Sequence, residues 1–286
     1  FYFFNKFAVN NSIYKIDGNT TNIILISSIS MLIIGILDDI YSLSPWPRLA
    51  LQIGIASYTW SNGISLDNIN FLGLINQENF IDLPSYISLI FTVIWIVGFT
   101  NALNWIDGID GLAISLVSIA FIGNLFLLTL VGNLELILFL IIVLTSCLVF
   151  MKFNLKPSKI IMGDGGCYFL GYFLATISIV ASTNQNQITT IVTPLLFFLV
   201  PILDMAVVIC KRIFSSRSPF HGDRKHVHHT LLDKNYSENE IVLLLCSIGQ
   251  WSLMLGLKLY TQNISWSSLL ISSLVMIFVL SHLNKK

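Results

Sequence analysis

Apolar runs long enough to cross a lipid bilayer follow one another along most of this chain, and several of them end in acidic residues. A helical crossing needs about 20 apolar residues, with latitude for tilt. Inside lipid the backbone must satisfy its own hydrogen bonds, which leaves helices or closed barrels. The candidate crossings are residues 22–37, 46–60, 85–103, 112–131, 134–151, 167–181, 188–210, 241–260 and 264–282. The second is short, and only Gly132-Asn133 separates the fourth from the fifth. The pattern predicts an all-α polytopic membrane protein with about nine to ten transmembrane helices, forming one integral-membrane domain over residues 1–286.

Composition agrees. Of 286 residues, 55% are hydrophobic and only 10% charged, whereas soluble domains carry about 25% charge. Mean hydropathy is +0.80. A net charge of zero argues against nucleic acid as a partner, because phosphate binding leaves a basic surplus. Cys147, Cys167, Cys210 and Cys246 have no framework spacing and read as reduced thiols used as small apolar residues. The chain opens with Phe1, and residues 1–9 read like the tail of an apolar helix. No signal peptide is visible, since its basic start and small-residue cleavage site are missing; the opening on Phe1 leads to the expectation that the N-terminal end of the natural protein is absent.

Counting crossings from Asp38 puts the acidic segment ends and most of the cations on one face. Arg48, Lys152, Lys156, Lys159, Lys211, Arg212, Arg217, Arg224, Lys225, Lys234, Lys285 and Lys286 fall there, against Lys6, Lys15 and Lys258 opposite. Positive charge accumulates on the cytoplasmic side, so the acids are expected at the cytoplasmic face. The external stretch 61–82 partly alternates apolar and polar residues and is expected to form a short surface hairpin.

Four motifs carry chemistry. Gly35-Ile-Leu-Asp38-Asp39 puts two carboxylates at a helix C-terminus, where the dipole favours cations. Adjacent carboxylates need a metal, a basic partner or a proton. Asn101-Ala-Leu-Asn104-Trp-Ile-Asp107-Gly-Ile-Asp110-Gly111 brings Asn101 near Asn104, Asn104 near Asp107 and Asp107 near Asp110 at helical spacing. This oxygen array suits magnesium, though a polar turn between crossings has the same residue types. Gly163-Asp164-Gly165-Gly166 sets an acid in a glycine-rich turn opening a helix, where backbone N–H groups can cradle an anion.

The fourth motif runs from His221 through Arg224 to His226-Val-His228-His229. It lacks the Glu-flanked spacing of zinc proteases and suits contact with phosphate or diphosphate. Asp204, inside an apolar run, can pair with Arg212 or Lys211, and such a structural ion pair stands beside a catalytic role as the two readings of this acid. Arg48 can meet a lipid phosphate or simply anchor the helix at the interface.

Together these residues resemble the polyprenyl-phosphate N-acetylhexosamine-1-phosphate transferase family. The matching pieces are Leu37-Asp38-Asp39 with Arg48 and Gln52, the stretch 101–112, Phe153-Asn154 through Lys159 to Gly171, Pro201-Ile-Leu-Asp204, and Phe220 to Leu231. They span nearly the whole chain. The His-x-His-His form is closer to enzymes taking UDP-N-acetylglucosamine or a related UDP-sugar than to the muramoyl-pentapeptide branch. Two departures stand out: the family's first helix and first cytoplasmic loop are missing, and Gly165-Gly166-Cys167 replaces a small-residue sequence that usually carries a serine.

The resemblance implies attack of polyprenyl (undecaprenyl) phosphate on a UDP-N-acetylhexosamine at the bacterial plasma membrane, initiating a cell-envelope glycan. It implies magnesium, with manganese as the alternative, held by Asn104, Asp107 and Asp164. Asp38, Asp39, Asp107 and Asp110 are the catalytic candidates. Asn101, Arg48, Lys159, Arg224, His226, His228 and His229 are the substrate-binding ones. Lipid is the surrounding partner, and a homodimer is compatible with the pattern. The rival readings are a cation-coupled transporter, which would place acids near mid-membrane with alternating access, and a CDP-alcohol phosphotransferase, whose further acidic pairs do not follow.

Overall fold

The computed structural model describes residues 18–70, 80–183, 188–215, 226–261 and 265–283. Eleven helices and three short strands make it up. In chain order they are α1 (Gly18–Tyr41), α2 (Pro45–Ser61), β1 (Asn68–Asn70), β2 (Ile81–Asp82), α3 (Ser85–Ile106), α4 (Leu112–Val131), α5 (Leu134–Asn154) and α6 (Gly163–Ser182). There follow β3 (Ile188–Thr190), α7 (Val192–Phe197), α8 (Leu199–Phe214), α9 (Val227–Leu232), α10 (Glu238–Thr261) and α11 (Trp266–Leu283). This is an all-α membrane protein. Among the described residues six helices, α1, α3, α4, α5, α6 and α10, are long and apolar enough to cross a bilayer by length and composition.

That number is smaller than the nine to ten expected from hydropathy, for visible reasons. Helix α2 has 17 residues, and the apolar stretch of α11 runs only from Ser267 to Ser281. The run 188–210 is not one helix. Its first residues form β3, and Pro201 cannot offer an N–H to the carbonyl of Phe197, so helicity breaks at Phe198 (φ −120°, ψ 29°) between α7 and α8.

Local signals set the other ends. Pro45 and Pro47 open α2, where first-turn N–H groups lack partners anyway. Between α4 and α5, Gly132 takes a left-handed conformation (φ 81°) and donates to the Leu128 carbonyl. Asn133 then caps α5 by accepting the Leu136 N–H at 3.1 Å.

Helix α6 is the axis of the bundle. It is buried along nearly its whole length, with Tyr168, Tyr172 and Phe173 fully enclosed, and it packs against α1, α3 and α4. A helix apolar all round belongs in such a place. Lipid gives no hydrophobic drive for helix association, so close packing and buried hydrogen bonds must hold the bundle, each bond worth about 0.6 to 2 kcal/mol. Both are present. A Cβ on Gly35 of α1 would collide with the backbone of Asp164, and one on Gly171 would lie 2.7 Å from Thr100 Cα of α3. Tyr172 shares a hydrogen bond with Thr59 at 2.7 Å, and Trp95 Nε1 donates to Ser178 Oγ at 3.1 Å. Apolar side chains face outward on α5 (Leu138, Ile142, Val149) and α11 (Leu270, Leu274, Phe278), the surface a lipid environment accommodates.

The expected surface hairpin exists as β1 and β2, paired antiparallel with Ile69 opposite Ile81. Unforeseen is β3, which joins parallel to β1, Asn68 opposite Ile188 and Asn70 opposite Thr190. The sheet lies at one end of the bundle and is tied to the helices by Asp67. Its Oδ1 accepts from Ser88 Oγ at 2.5 Å, and Ser88 Oγ accepts from Trp60 Nε1 at 2.9 Å. Since α2 leads to this sheet and α3 leaves it, the start of α2 and the end of α3 lie together at the opposite end, where the acids are.

Candidate active site

Asp38 reaches that end on the last turn of α1 and is 5% exposed. Arg48, on the first turn of α2, donates to Asp38 Oδ2 at 2.6 Å, and Tyr168 Oη donates to the same oxygen at 3.0 Å. The carboxyl of Asp164, at the start of α6, lies beside that of Asp38. Neighbouring carboxylates repel unless one keeps a proton or a cation stands between them. Asn104, on the last turn of α3, donates from Nδ2 to Asp164 Oδ1 at 2.5 Å. Residues separated by 60 to 130 positions therefore share one cluster.

Asp39 has a different job from its neighbour. Its two oxygens accept the backbone N–H groups of Asp164 (2.9 Å) and Gly165 (3.1 Å). Those amides open α6, where no intrahelical carbonyl is available and the dipole favours an anion. The α1 terminus is thereby fastened to the α6 terminus.

Asp107 follows α3 and accepts from Cys167 Sγ at 3.4 Å. Burial, chiefly, and the charge of Asp110 push its carboxyl up to about 6, while the Cys167 hydrogen bond works the other way. Asp110 accepts the Ser158 N–H at 3.2 Å, holding the loop before α6. Gly111 (φ 79°) turns the chain into α4 and donates to Asn154 Oδ1 at 3.2 Å, and Asn154 Nδ2 donates to the Ile160 carbonyl. A left-handed residue beside the Leu155 side chain leaves room for glycine alone.

The histidines close the other flank. His226 Nδ1 lies 2.7 Å from Asp204 Oδ2, and the Val227 N–H donates to Asp204 Oδ1 at 2.7 Å. The expected pairing of Asp204 with Arg212 or Lys211 gives way to this one. Arg212 instead sits over Trp105, 5.1 Å from the ring centroid. Trp105 meets His226 edge-on, His226 stacks with His228, and His228 leans on His229 at 4.3 Å. His228 is 1% exposed, and among the described residues neither ring nitrogen has a hydrogen-bond partner. Burial and the neighbouring His229 and His226 hold its pKa down to about 4, with Asp204 opposing, so it is a neutral ring. Its Nε2 abuts Gly108, where a Cβ would collide.

Other predicted residues stand further off. Asn101 lies one turn deeper on α3 and spends its Nδ2 on Gln52 Oε1 (2.7 Å) and the Val97 carbonyl (2.8 Å). The Lys159 side chain is exposed on the loop, with its N–H on the Phe153 carbonyl. Arg224 lies outside the described residues. Sequence reasoning did not single out Tyr168 or the Cys167–Asp107 contact, and named Asn154 only within a stretch that matches the family. Tyr168 carried a signal: four residues after Asp164, it shares the helix face of that acid.

The oxygen donors of Asp164, Asn104 and Asp107 suit a hard divalent cation. Between Asp38 and Asp164 such an ion would relieve the repulsion of two neighbouring carboxylates. Among the described residues no group of three His, Cys, Asp or Glu could hold a metal ion by itself. Magnesium commonly binds through one or two carboxylates and completes its shell with water and substrate phosphates.

Residues 21–182, which carry all of these acids except Asp204, match the family described as glycosyl transferase family 4. The chain is 34% identical over 259 residues to a probable undecaprenyl-phosphate N-acetylglucosaminyl 1-phosphate transferase of Bacillus subtilis (strain 168), covering 90% of this chain and 70% of that protein. It is 30% identical over 255 residues to a phospho-N-acetylmuramoyl-pentapeptide-transferase of Staphylococcus aureus (strain JH9), covering 86% and 78%. An acid cluster at one end of a helical membrane bundle and a family match over more than half its length lead to one assignment: the chain belongs to glycosyl transferase family 4.

Proposed function

We propose that this protein transfers an N-acetylhexosamine-1-phosphate unit from a UDP-linked donor to polyprenyl phosphate, with UDP-N-acetylglucosamine and undecaprenyl phosphate as the preferred pair. An oxygen of the lipid phosphate forms a bond to the β-phosphorus of the donor. The bond from that phosphorus to the bridging oxygen breaks, and UMP leaves. The product is a polyprenyl-diphosphate sugar at the cytoplasmic edge of a bacterial plasma membrane, the first intermediate of a cell-envelope glycan. Helices α2, α8 and α11 complete the crossings in this reading.

The observation that carries the proposal is the meeting of Asp38, Asp164, Asn104 and Arg48 from four helices at one end of the bundle. Phosphoryl transfer asks little covalent chemistry of a protein and depends on positioning and charge neutralisation. Asp164, with Asn104 and Asp107, would hold magnesium (manganese as the alternative), which when bound neutralises the donor diphosphate. Arg48 is held by Asp38 through Nη1 and has further N–H donors for the lipid phosphate. Asp38 orients that guanidinium, and a lipid phosphate ionised near neutral pH needs no stronger base.

Asp39 and Asp110 act on the frame, one fixing the start of α6 and the other the loop before it. His228 contributes as a neutral hydrogen-bonding ring whose buried nitrogens lack a partner among the described residues. His226, His229, Arg224 and Lys159 supply polar contacts to the phosphates or the sugar. Asn101 supports the pocket from one turn below.

The test uses membranes carrying the protein, incubated with undecaprenyl phosphate, magnesium and a panel of UDP-sugars. UMP release matched by a lipid-linked sugar is expected, greatest with UDP-N-acetylglucosamine. Failure to release UMP from any donor would overturn the reading.

A further inference from the structure

Asp204 stands apart from the acid cluster, buried in α8 with its side chain 4% exposed. Both oxygens are committed to one neighbour in space, Oδ2 to His226 Nδ1 and Oδ1 to the Val227 N–H, each at 2.7 Å. A carboxylate can only accept hydrogen bonds, so His226 must carry a hydrogen on Nδ1, and in the neutral ring Nε2 is then the nitrogen with a lone pair. The six-residue helix α9 is too short to persist on its own, and Asp204 grips its first amide. From the same helix, Arg212 covers Trp105, the residue between Asn104 and the Asp107 turn, and the Trp105 edge meets His226. Helix α8 thus pins the histidine stack and the acid-bearing turn against each other.

We propose that Asp204 is a positioning residue, fixing the Nδ1–H tautomer and ring orientation of His226 and so aligning the His226–His228–His229 stack for the transfer proposed above, a reading on which its kinetic consequence rests. Replacement by asparagine separates this role from packing. In Asp204→Asn, Oδ1 can still accept from Val227, but the amide NH2 can only donate to His226 Nδ1. That forces the hydrogen onto Nε2 with little change of shape.

The direct test is 15N-histidine NMR of the detergent-solubilised protein without substrate, with the His226 signals assigned by loss in His226→Gln. The expected result is an Nδ1–H, Nε2-unprotonated ring that inverts in Asp204→Asn and reverts in Asp204→Glu. An Nε2–H ring in the unmodified protein, or an unchanged one in Asp204→Asn, would overturn the proposal. In transfer assays Asp204→Asn should lower kcat by about 10- to 100-fold with KM nearly unchanged, and Asp204→Glu should recover part of it. Equal activity of Asp204→Asn and the parent, at equal thermal midpoint, would also overturn it. Absence of transfer by the unmodified protein would count against the functional reading alone, because the NMR result stands without activity.

Discussion

At the scale of single residues, the site is a problem of like charges brought together. Asp38 lies beside Asp164 while also holding Arg48 and Tyr168, so one guanidinium and one phenol offset part of the repulsion. Removing the phenol in Tyr168→Phe should cost about 0.5 to 1.5 kcal/mol, seen as a lower thermal midpoint in detergent with the fold retained. Asp107 makes a pH prediction. Its folded-state pKa of about 6 lies above the value of about 3.9 expected unfolded. The folded protein therefore holds this proton more tightly, a stabilisation complete below pH 4 and lost as pH rises through 6. Metal-free protein should show this loss, at most about 3 kcal/mol, and Asp107→Asn should abolish it. A divalent ion requires the carboxylate and should shift the transition downward. Unfolding midpoints between pH 4 and 7, with and without magnesium, check both statements. The acids were legible because an Asp at the end of an apolar run contradicts its surroundings; their partners were less so, because Cys167 looks like an ordinary core residue and Tyr168 is marked only by sharing the helix face of Asp164.

At the scale of elements, α1 and α6 must approach until their backbones nearly touch. Gly35 faces the backbone of Asp164 and Gly165, so Gly35→Ala must push the two helices apart, separating Asp38 from Asp164. Overpacking of this kind costs about 1 to 3 kcal/mol. A lower thermal midpoint together with lost UMP release is expected, and a variant that kept both would contradict the packing described. Asp39 fastens the same pair of termini. Asp39→Ala should destabilise by about 0.5 to 2 kcal/mol, as loss of a helix N-cap does, whereas Asp39→Asn keeps an acceptor for one amide and should fall between. Most helices could be read from hydropathy. The stretch 188–210 could not, because its apolar residues suit β3 as well as a helix, and strand pairing with Asn68–Asn70 depends on chain 120 residues away.

For the whole molecule, every polar motif of the sequence that lies within the described residues is at the end opposite the sheet. A cation-coupled transporter would need its carboxylates where both sides can reach them; these gather at one end. Cysteines placed in a cysteine-free background test this polarity. Ser42→Cys, beside the acids, should resist a membrane-impermeant thiol reagent in intact cells, and Ser61→Cys, at the sheet end, should react. The gathering itself was foreseeable, since two independent signals, acid placement and cation bias, named the same face. The histidine stack and its grip on Trp105 were not, because nothing in local spacing says that α8 meets α9.

Asp164, the acid that meets α1 and α3 from the start of the central helix, is the residue on which the proposed transfer depends most. Its direct test is UMP release from UDP-N-acetylglucosamine and undecaprenyl phosphate by the protein and by Asp164→Asn, each shown folded by its thermal midpoint. Loss of at least about 100-fold, the scale seen when an electrostatic catalyst is removed, is the predicted result. Release by folded Asp164→Asn at the rate of the unmodified protein would contradict it.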